Sequence, residues 1–176
     1  MRWEALFADL EAQFAAHGAA ELDAQVAELT RAERATVAIG DRLRAARGGV
    51  LSVRLRGGST AEGQVLDAAP QWLLLGAQGR QALIPLAAVV VVTGLGPYVA
   101  PSPGVVEGRL TLGHALRALA RDRVLVQVEV DGTELTGRIE RVGADHLDLA
   151  AGHGEAARRD GLVAVPFAGL RAVRSR

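Results

Sequence analysis

The chain has 176 residues, 49% of them hydrophobic, and a formal net charge of zero. This length allows a core in one domain or two small ones, and the neutral charge excludes a global field that would attract nucleic acid or an anionic membrane. Cysteine is absent, which excludes disulfides, thiolate metal sites and cysteine nucleophiles.

The N-terminal residues carry acids at Glu4, Asp9 and Glu11, where a secretory signal would have a basic region. The longest apolar run, residues 82–92, is too short to cross a bilayer and contains Pro85. We therefore expect a cytoplasmic protein with no membrane partner.

Residues 1–48 have the apolar spacing of two helices, separated at Gly18 in the sequence "HGAA". The second helix carries one apolar stripe, formed by Leu22, Val26, Leu29, Ile39 and Leu43. Because an isolated helix cannot leave such a stripe in water, we expect it to pack on the rest of the chain or on a second copy.

From residue 50 the hydrophobic period changes to two, which predicts five short strands before Gly94. A segment rich in Pro and Gly follows, then a helical pattern, and a second strand pattern begins at Val124. The predicted organisation is a helical segment, a first strand domain, a linker, and a helix with a second strand domain: residues 1–48, 49–96, 97–108 and 109–176.

The two strand patterns are copies of one unit. "VRLRGGSTAEGQV" matches "VEVDGTELTGRI" when one residue is added to the first turn, and Gly63 and Pro85 then coincide with Gly137 and Pro166. A unit of about fifty residues with five strands is too small for a sandwich and fits a small closed barrel. In such a barrel the glycines occupy a sharp strand bend, and the prolines end the fourth strand and start a short helical turn.

The sequence "VEVDGTELTGRIERVGADHLDL" resembles the first signature of the Sm-like proteins, which include Sm, LSm and Hfq proteins. The resemblance covers residues 50–94 and 109–174, and the whole chain is similar to small actinobacterial proteins of uncharacterised role. It implies a mainly β fold in which N-terminal helices precede two tandem five-stranded Sm-like or SH3-like barrels, the second preceded by a helix. Barrels of this family join by pairing strand four of one with strand five of the next.

The resemblance also implies RNA binding, but the base-contacting residues of the family are replaced. Its strand-three asparagine corresponds to Leu74 and Asp148 here, and its Arg-Gly before the last strand is missing. We therefore expect no uridine pocket.

Clustered arginines could still contact phosphate. The candidate nucleic-acid-binding residues are Arg117, Arg121, Arg158, Arg159 and Arg171. The alternative is that these arginines lie on solvated faces, balanced by the nearby acids Glu129, Asp131, Glu134 and Asp160. Aromatic residues make up only 3% of the chain, so base-stacking platforms are scarce, and Trp72 is expected in the core or an interface.

No constellation of residues points to catalysis. None of the four serines lies in a nucleophile elbow, and "GLG" at residues 94–96 leads into a proline rather than a phosphate-binding loop. His146, Asp148 and His153 could approach a metal ion across a hairpin, but the strand alternation favours the interpretation that they are exposed polar residues on a sheet surface. We predict no enzyme activity, catalytic residue, cofactor, metal or small-molecule substrate.

Two functions remain after these exclusions. The first is a binding or scaffold module that assembles with itself or a protein partner through barrel edges and the N-terminal helices. The second is a regulator that binds RNA or DNA through arginine patches. The neutral charge and the missing pocket favour the first.

Overall fold

A computed structural model describes residues 2–101, 103–104, 107–151 and 161–175. The chain divides into two compact units, one ending at Val37 and the other beginning at Ala38.

The first unit is one long helix, α1 (Arg2–Ala35). It continues through Gly18, so the predicted break at that residue is wrong. A single helical glycine costs only about 1 kcal/mol relative to alanine, and neither a proline nor a capping residue accompanies it in the alanine-rich sequence around it. The helix ends instead at Ala35, and the hydroxyl of the next residue, Thr36, donates a hydrogen bond to the Glu33 carbonyl oxygen.

In its described residues, the second unit contains two short α-helices and ten strands. The helices are α2 (Ile39–Ala45) and α3 (Leu112–Arg121). The strands before α3 are β1 (Val50–Leu55), β2 (Thr60–Ala69), β3 (Trp72–Ala77), β4 (Arg80–Pro85) and β5 (Val89–Thr93). Those after it are β6 (Leu125–Val130), β7 (Thr133–Val142), β8 (His146–Ala151), β9 (Leu162–Pro166) and β10 (Leu170–Ser175). Pro85 and Pro166 each end a strand, and a 3-10 turn follows each of them.

All ten strands form one antiparallel sheet in the order β5-β1-β2-β3-β4-β10-β6-β7-β8-β9. The prediction of a mainly β chain with helices is confirmed. The sequence predicted two separate sets of five strands, whereas the structure joins them into one continuous sheet because β4 pairs with β10.

The two sets of strands pair in the same register. Trp72 lies opposite Pro85 in the first set, as His146 lies opposite Pro166 in the second. Both sets have a bulge between their second and third strands, at Leu66 and at Glu140. We call residues 39–93 the first half and residues 112–175 the second half.

The repeat also includes the helices, which the strand-based alignment missed. α2 has the sequence "IGDRLRA" and α3 begins "LGHALRA", with identical residues at four of seven positions. Leu43 and Leu116 occupy equivalent positions, and both are fully buried. The sequence pattern predicts one helix that carries Leu22, Ile39 and Leu43. In the structure Leu22 lies on α1, whereas Ile39 and Leu43 lie on α2, which packs with the strands.

Each half has its own hydrophobic cluster. In the first, Leu43 packs with alternate residues of the strands, such as Val53 and Leu73. In the second, Leu116 packs similarly with Val128 and Leu147. The alternating burial along β1, β6 and β8 reflects the two-residue repeat of a strand.

The predicted linker is held along α2. The backbone N–H of Ala100 donates a hydrogen bond of 3.1 Å to the Asp41 carbonyl oxygen. Arg42 donates to the Gly96 carbonyl oxygen at 3.0 Å, and Arg44 donates to that of Pro101. This part of the linker is therefore a strap that fixes α2 rather than a free connection.

Candidate assembly interface

The two halves meet where β4 pairs with β10. Leu83 lies opposite Val173, and Ala82 lies opposite Arg174. At the end of this pairing the Gln81 backbone N–H donates a hydrogen bond of 2.8 Å to the Ser175 hydroxyl. The fourth strand of one half thus pairs with the fifth strand of the other.

Apolar side chains of the first half enter the core of the second. Trp72 and Leu83 belong to the same cluster as Leu112 of α3 and Leu170 of β10. The Trp72 indole N–H donates to the Leu110 carbonyl oxygen at 3.0 Å. Trp72 is 7% exposed, which confirms the prediction that it lies in the core or an interface.

A polar network crosses the same junction around Glu129, the one buried charged residue in the described part of the chain. Its carboxylate accepts a hydrogen bond from Ser59 of the first half and one from Arg174 Nη1, at 2.5 Å. The sequence had placed Glu129 among the solvated acids. In β6 Glu129 alternates with Val128 and Val130, and this pattern predicts an exposed side chain for Glu129. The side chain is buried because the two halves meet there.

Two further arginines connect the halves. Arg56 Nη2 donates to the Ala168 carbonyl oxygen at 2.6 Å. Arg171 Nε donates to Asp131 at 2.6 Å, and its guanidinium occupies the space that a Cβ would need at Gly57. Glycine suits position 57 for two reasons: it has no Cβ to clash with Arg171, and it readily adopts the φ of 81° found there.

One strand of each half remains at an end of the sheet. These are β5, the fifth strand of the first half, and β9, the fourth strand of the second. β5 corresponds to β10 and β9 corresponds to β4, and β10 and β4 are the strands that pair inside the chain.

Positions that the internal junction buries are exposed at the two ends. On the fifth strands, Ala172 is 0% exposed and its counterpart Val91 is 48% exposed; on the helices, Leu112 is 6% exposed and its counterpart Ile39 is 46% exposed. On the fourth strands, Leu83 is buried and its counterpart Ala164 is exposed.

The exposed side of β5 borders an apolar groove of about 480 Å³ next to α2. Its apolar lining includes Ile39, Leu86, Val90, Val92 and Leu95. The corresponding surface of the second half, between α3 and β10, is where Trp72 and Leu83 pack. The groove at the free end of the first half therefore corresponds to the surface of the second half that Trp72 and Leu83 cover.

The predicted nucleic-acid-binding residues lie in different environments. Arg117 and Arg121 are exposed on α3, one helical turn apart. Arg171 is paired with Asp131, and its side chain is only 13% exposed. Arg158 and Arg159 lie outside the described residues. Of the positions that replace the base-contacting asparagine, Leu74 and Asp148 are both half-buried.

His146, the counterpart of Trp72, forms an ion pair near β9. Its Nδ1 lies 2.9 Å from Asp145 Oδ1. This hydrogen bond raises the pKa of His146 and lowers the pKa of Asp145, and the charge of Asp148 further raises the pKa of His146.

Within the described ranges, no three side chains of His, Asp or Glu group in a way that could hold a metal ion. His153, considered with His146 and Asp148 from the sequence, lies outside those ranges. No helix among the described residues has the length and apolar character needed to cross a membrane.

Comparison of the chain with protein-family models gives no match, and comparison with curated proteins gives none either.

Proposed function

We propose that the chain is a non-enzymatic assembly module built from two tandem Sm-like barrels, and that copies join end to end by pairing β9 of one with β5 of the next. The observation that carries this proposal is the internal junction, in which β4 pairs with β10. The free strands are the counterparts of that pair, so one contact geometry can serve both inside the chain and between copies. Such a head-to-tail contact produces a ring if it closes and a filament if it does not.

The equivalence of the halves predicts the register between copies. Leu83 corresponds to Ala164 and Val173 to Val92, so Val92 of one copy should face Ala164 of the next. By the same reasoning, Thr93 should face Val163. A one-residue slip would turn every side chain to the wrong face.

The contact between copies should be weaker than the internal junction. Trp72 and Leu83 are replaced by His146 and Ala164, which bury less apolar surface. Glu129 is replaced by Arg54 and its partner Arg174 by Thr93, so the Glu129–Arg174 ion pair has no counterpart in the contact between copies. Assembly should therefore depend on protein concentration while the two halves of one chain stay together.

Cysteine cross-linking tests the proposal because the chain has no native cysteine. We expect the double variant with Thr93→Cys and Val163→Cys to form a ladder of covalent oligomers under mild oxidation. The two residues lie on strands at opposite ends of the sheet, so a bond between them must join two copies. The longest closed species would give the number of copies in a ring.

The matched control is Thr93→Cys with Ala164→Cys, which shifts the pair by one residue and should reduce the ladder several-fold. A second variant, Ala164→Glu, should lower the mean mass in light scattering, whereas Val124→Glu, also at an exposed apolar residue but away from both edges, should not. A monomer at all concentrations, or equal ladders for both cysteine pairs, would contradict the proposal.

Nucleic-acid binding is the second candidate function, favoured by the two exposed arginines of α3. Arg117 and Arg121 lie on one helix face and could contact neighbouring phosphates. Binding of single-stranded RNA or duplex DNA should then weaken with salt, and Arg117→Glu with Arg121→Glu should reduce affinity similarly for all sequences. The control is Arg54→Glu, on an exposed residue of the other half. Absence of binding at low salt would exclude this function.

A further inference from the structure

α1 carries an exposed apolar face that nothing in its own unit covers. Five large residues, Phe7, Phe14, Leu22, Val26 and Leu29, are between 59% and 75% exposed. On a helix with 3.6 residues per turn, four of them (all but Val26) lie within about 80° of one another. A stripe of this kind on a helix about 50 Å long is normally paired with another apolar surface.

The spacing of these residues is symmetric about Gly18. From Phe7 the steps to Phe14, Gly18, Leu22 and Leu29 are seven, four, four and seven residues. Val26 lies eight residues after Gly18, and the residue eight positions before Gly18, residue 10, is a leucine in the sequence. When two copies of a helix pair in opposite directions, each residue meets the residue at its mirror position, so a symmetric pattern fits itself.

We infer that α1 pairs with α1 of a second copy, antiparallel, about a two-fold axis at Gly18. In this register Phe7 meets Leu29, Phe14 meets Leu22, and Gly18 meets Gly18. A glycine at the centre lets the two backbones approach closely, because a Cβ there would be the first atom to limit the distance. Apart from the neighbouring residues and the backbone of its own helix, no atom in the described part of the chain lies within 4 Å of that Cβ position.

The helix macrodipoles favour the antiparallel direction. Each helix carries a partial positive charge at its N-terminus and a partial negative charge at its C-terminus, and opposite charges lie together only when the two helices run in opposite directions.

The buried area is sufficient for a specific contact. Burying one exposed aliphatic or aromatic side chain removes on the order of 100 Å² from water. Five such residues on each of two copies give about 1,000 Å², which reaches the lower limit for a specific protein interface. This pairing uses a surface separate from the β5 and β9 edges.

Single-cysteine variants of the full chain test both pairing and direction. We expect a mixture of Phe7→Cys and Leu29→Cys to form a disulfide-linked dimer, because the two residues meet in the antiparallel pair. Either variant alone should form at least several-fold less, because the two copies of the same residue would be about 33 Å apart along the helix.

The matched control is Ala27→Cys mixed with Phe7→Cys. Ala27 is exposed and nearly level with Leu29, but it lies nine residues from Gly18 and therefore on the opposite side of the helix. Strong dimers from each variant alone would indicate a parallel pair, and no cross-linking in any mixture would exclude the pairing; either result overturns the inference. Repeating the mixture with Ala164→Glu present should leave cross-linking unchanged, which separates this contact from the strand-edge assembly.

Discussion

Glu129 shows how one residue can distinguish the junction inside the chain from the contact proposed between chains. A buried carboxylate is stable only when its charge is compensated by hydrogen bonds and an opposite charge. Ser59 and Arg174 provide both for Glu129. Its counterpart in the first half is Arg54, which is exposed on β1.

Glu129→Ala should lower the free energy of unfolding by about 2–3 kcal/mol, because it removes a charged hydrogen-bond acceptor from Arg174 and Ser59. Arg174 is 25% exposed, so water can partly replace the lost partner. Chemical denaturation gives the value, and Arg54→Ala is the control, expected within about 0.5 kcal/mol of the original protein. Equal effects of the two substitutions would show that the junction network does not stabilise the fold.

His146 provides a prediction for pH. Its pKa is raised above the ordinary 6.5 by the hydrogen bond to Asp145, so the protonated form is favoured in the folded chain. A raised pKa stabilises the fold fully below 6.5, and this contribution is lost as the pH rises through the folded-state pKa. A pH titration by NMR should show the raised value, and Asp145→Asn should return it towards 6.5. An identical titration curve for the variant would contradict this account.

Among the structural elements, β2 and β7 each contain a glycine at which a Cβ would clash with the backbone of the next strand. A Cβ at Gly63 would lie 2.6 Å from the Gly76 carbonyl oxygen, and one at Gly137 would lie 2.2 Å from that of Ala150. Both clashing atoms belong to the backbone of the neighbouring strand, so a change of side-chain rotamer cannot relieve the clash. The paired strands β2 and β3, and likewise β7 and β8, therefore approach each other closely at these two glycines.

Gly63→Ala and Gly137→Ala should each lower the free energy of unfolding by about 2 kcal/mol or more, because the added methyl group forces two paired strands apart. Gly169→Ala is the matched control, since no atom lies within 4 Å of its Cβ position and its φ is not in the left-handed region. Thermal or chemical unfolding would measure all three variants. A tolerated alanine at Gly137 would mean that the close approach of β7 and β8 is not required.

At the scale of the whole molecule, the boundary at residue 38 separates α1 from the helix that completes the first half. Leu43 of α2 is fully buried in the first hydrophobic cluster, and the strap around Ala100 is hydrogen-bonded to α2. By contrast, Leu22 and Leu29 of α1 are exposed. The two helices therefore contribute differently to stability.

Removing residues 1–37 should leave the remaining chain folded with nearly unchanged stability. Removing residues 1–48 should destabilise it by at least the 2–5 kcal/mol typical of losing one buried leucine, because Leu43 and its helix are lost. Circular dichroism with chemical denaturation would compare the two truncated chains. If both were equally stable, α2 would not be part of the first half.

The sequence alone determined the elements whose cause is local. The two-residue period of "VRL" and "VEV" predicted strands, and the matching positions of Gly63 and Gly137 revealed the repeat. The long helix was only partly predicted, because the cost of Gly18 had to be weighed against the alanines around it. The similarity of "IGDRLRA" to "LGHALRA" was present in the sequence but needed the strand register to be recognised.

Only the tertiary structure decided how the halves join. The pairing of Leu83 with Val173 brings together strands that are 90 residues apart in sequence, and no local pattern specifies such a partner. The burial of Glu129 and the packing of the Arg171 guanidinium against Gly57 follow from that junction. The physical reason is that periodicity indicates which face of a strand is apolar, whereas the partner of an edge strand depends on which other edge the folded chain brings beside it.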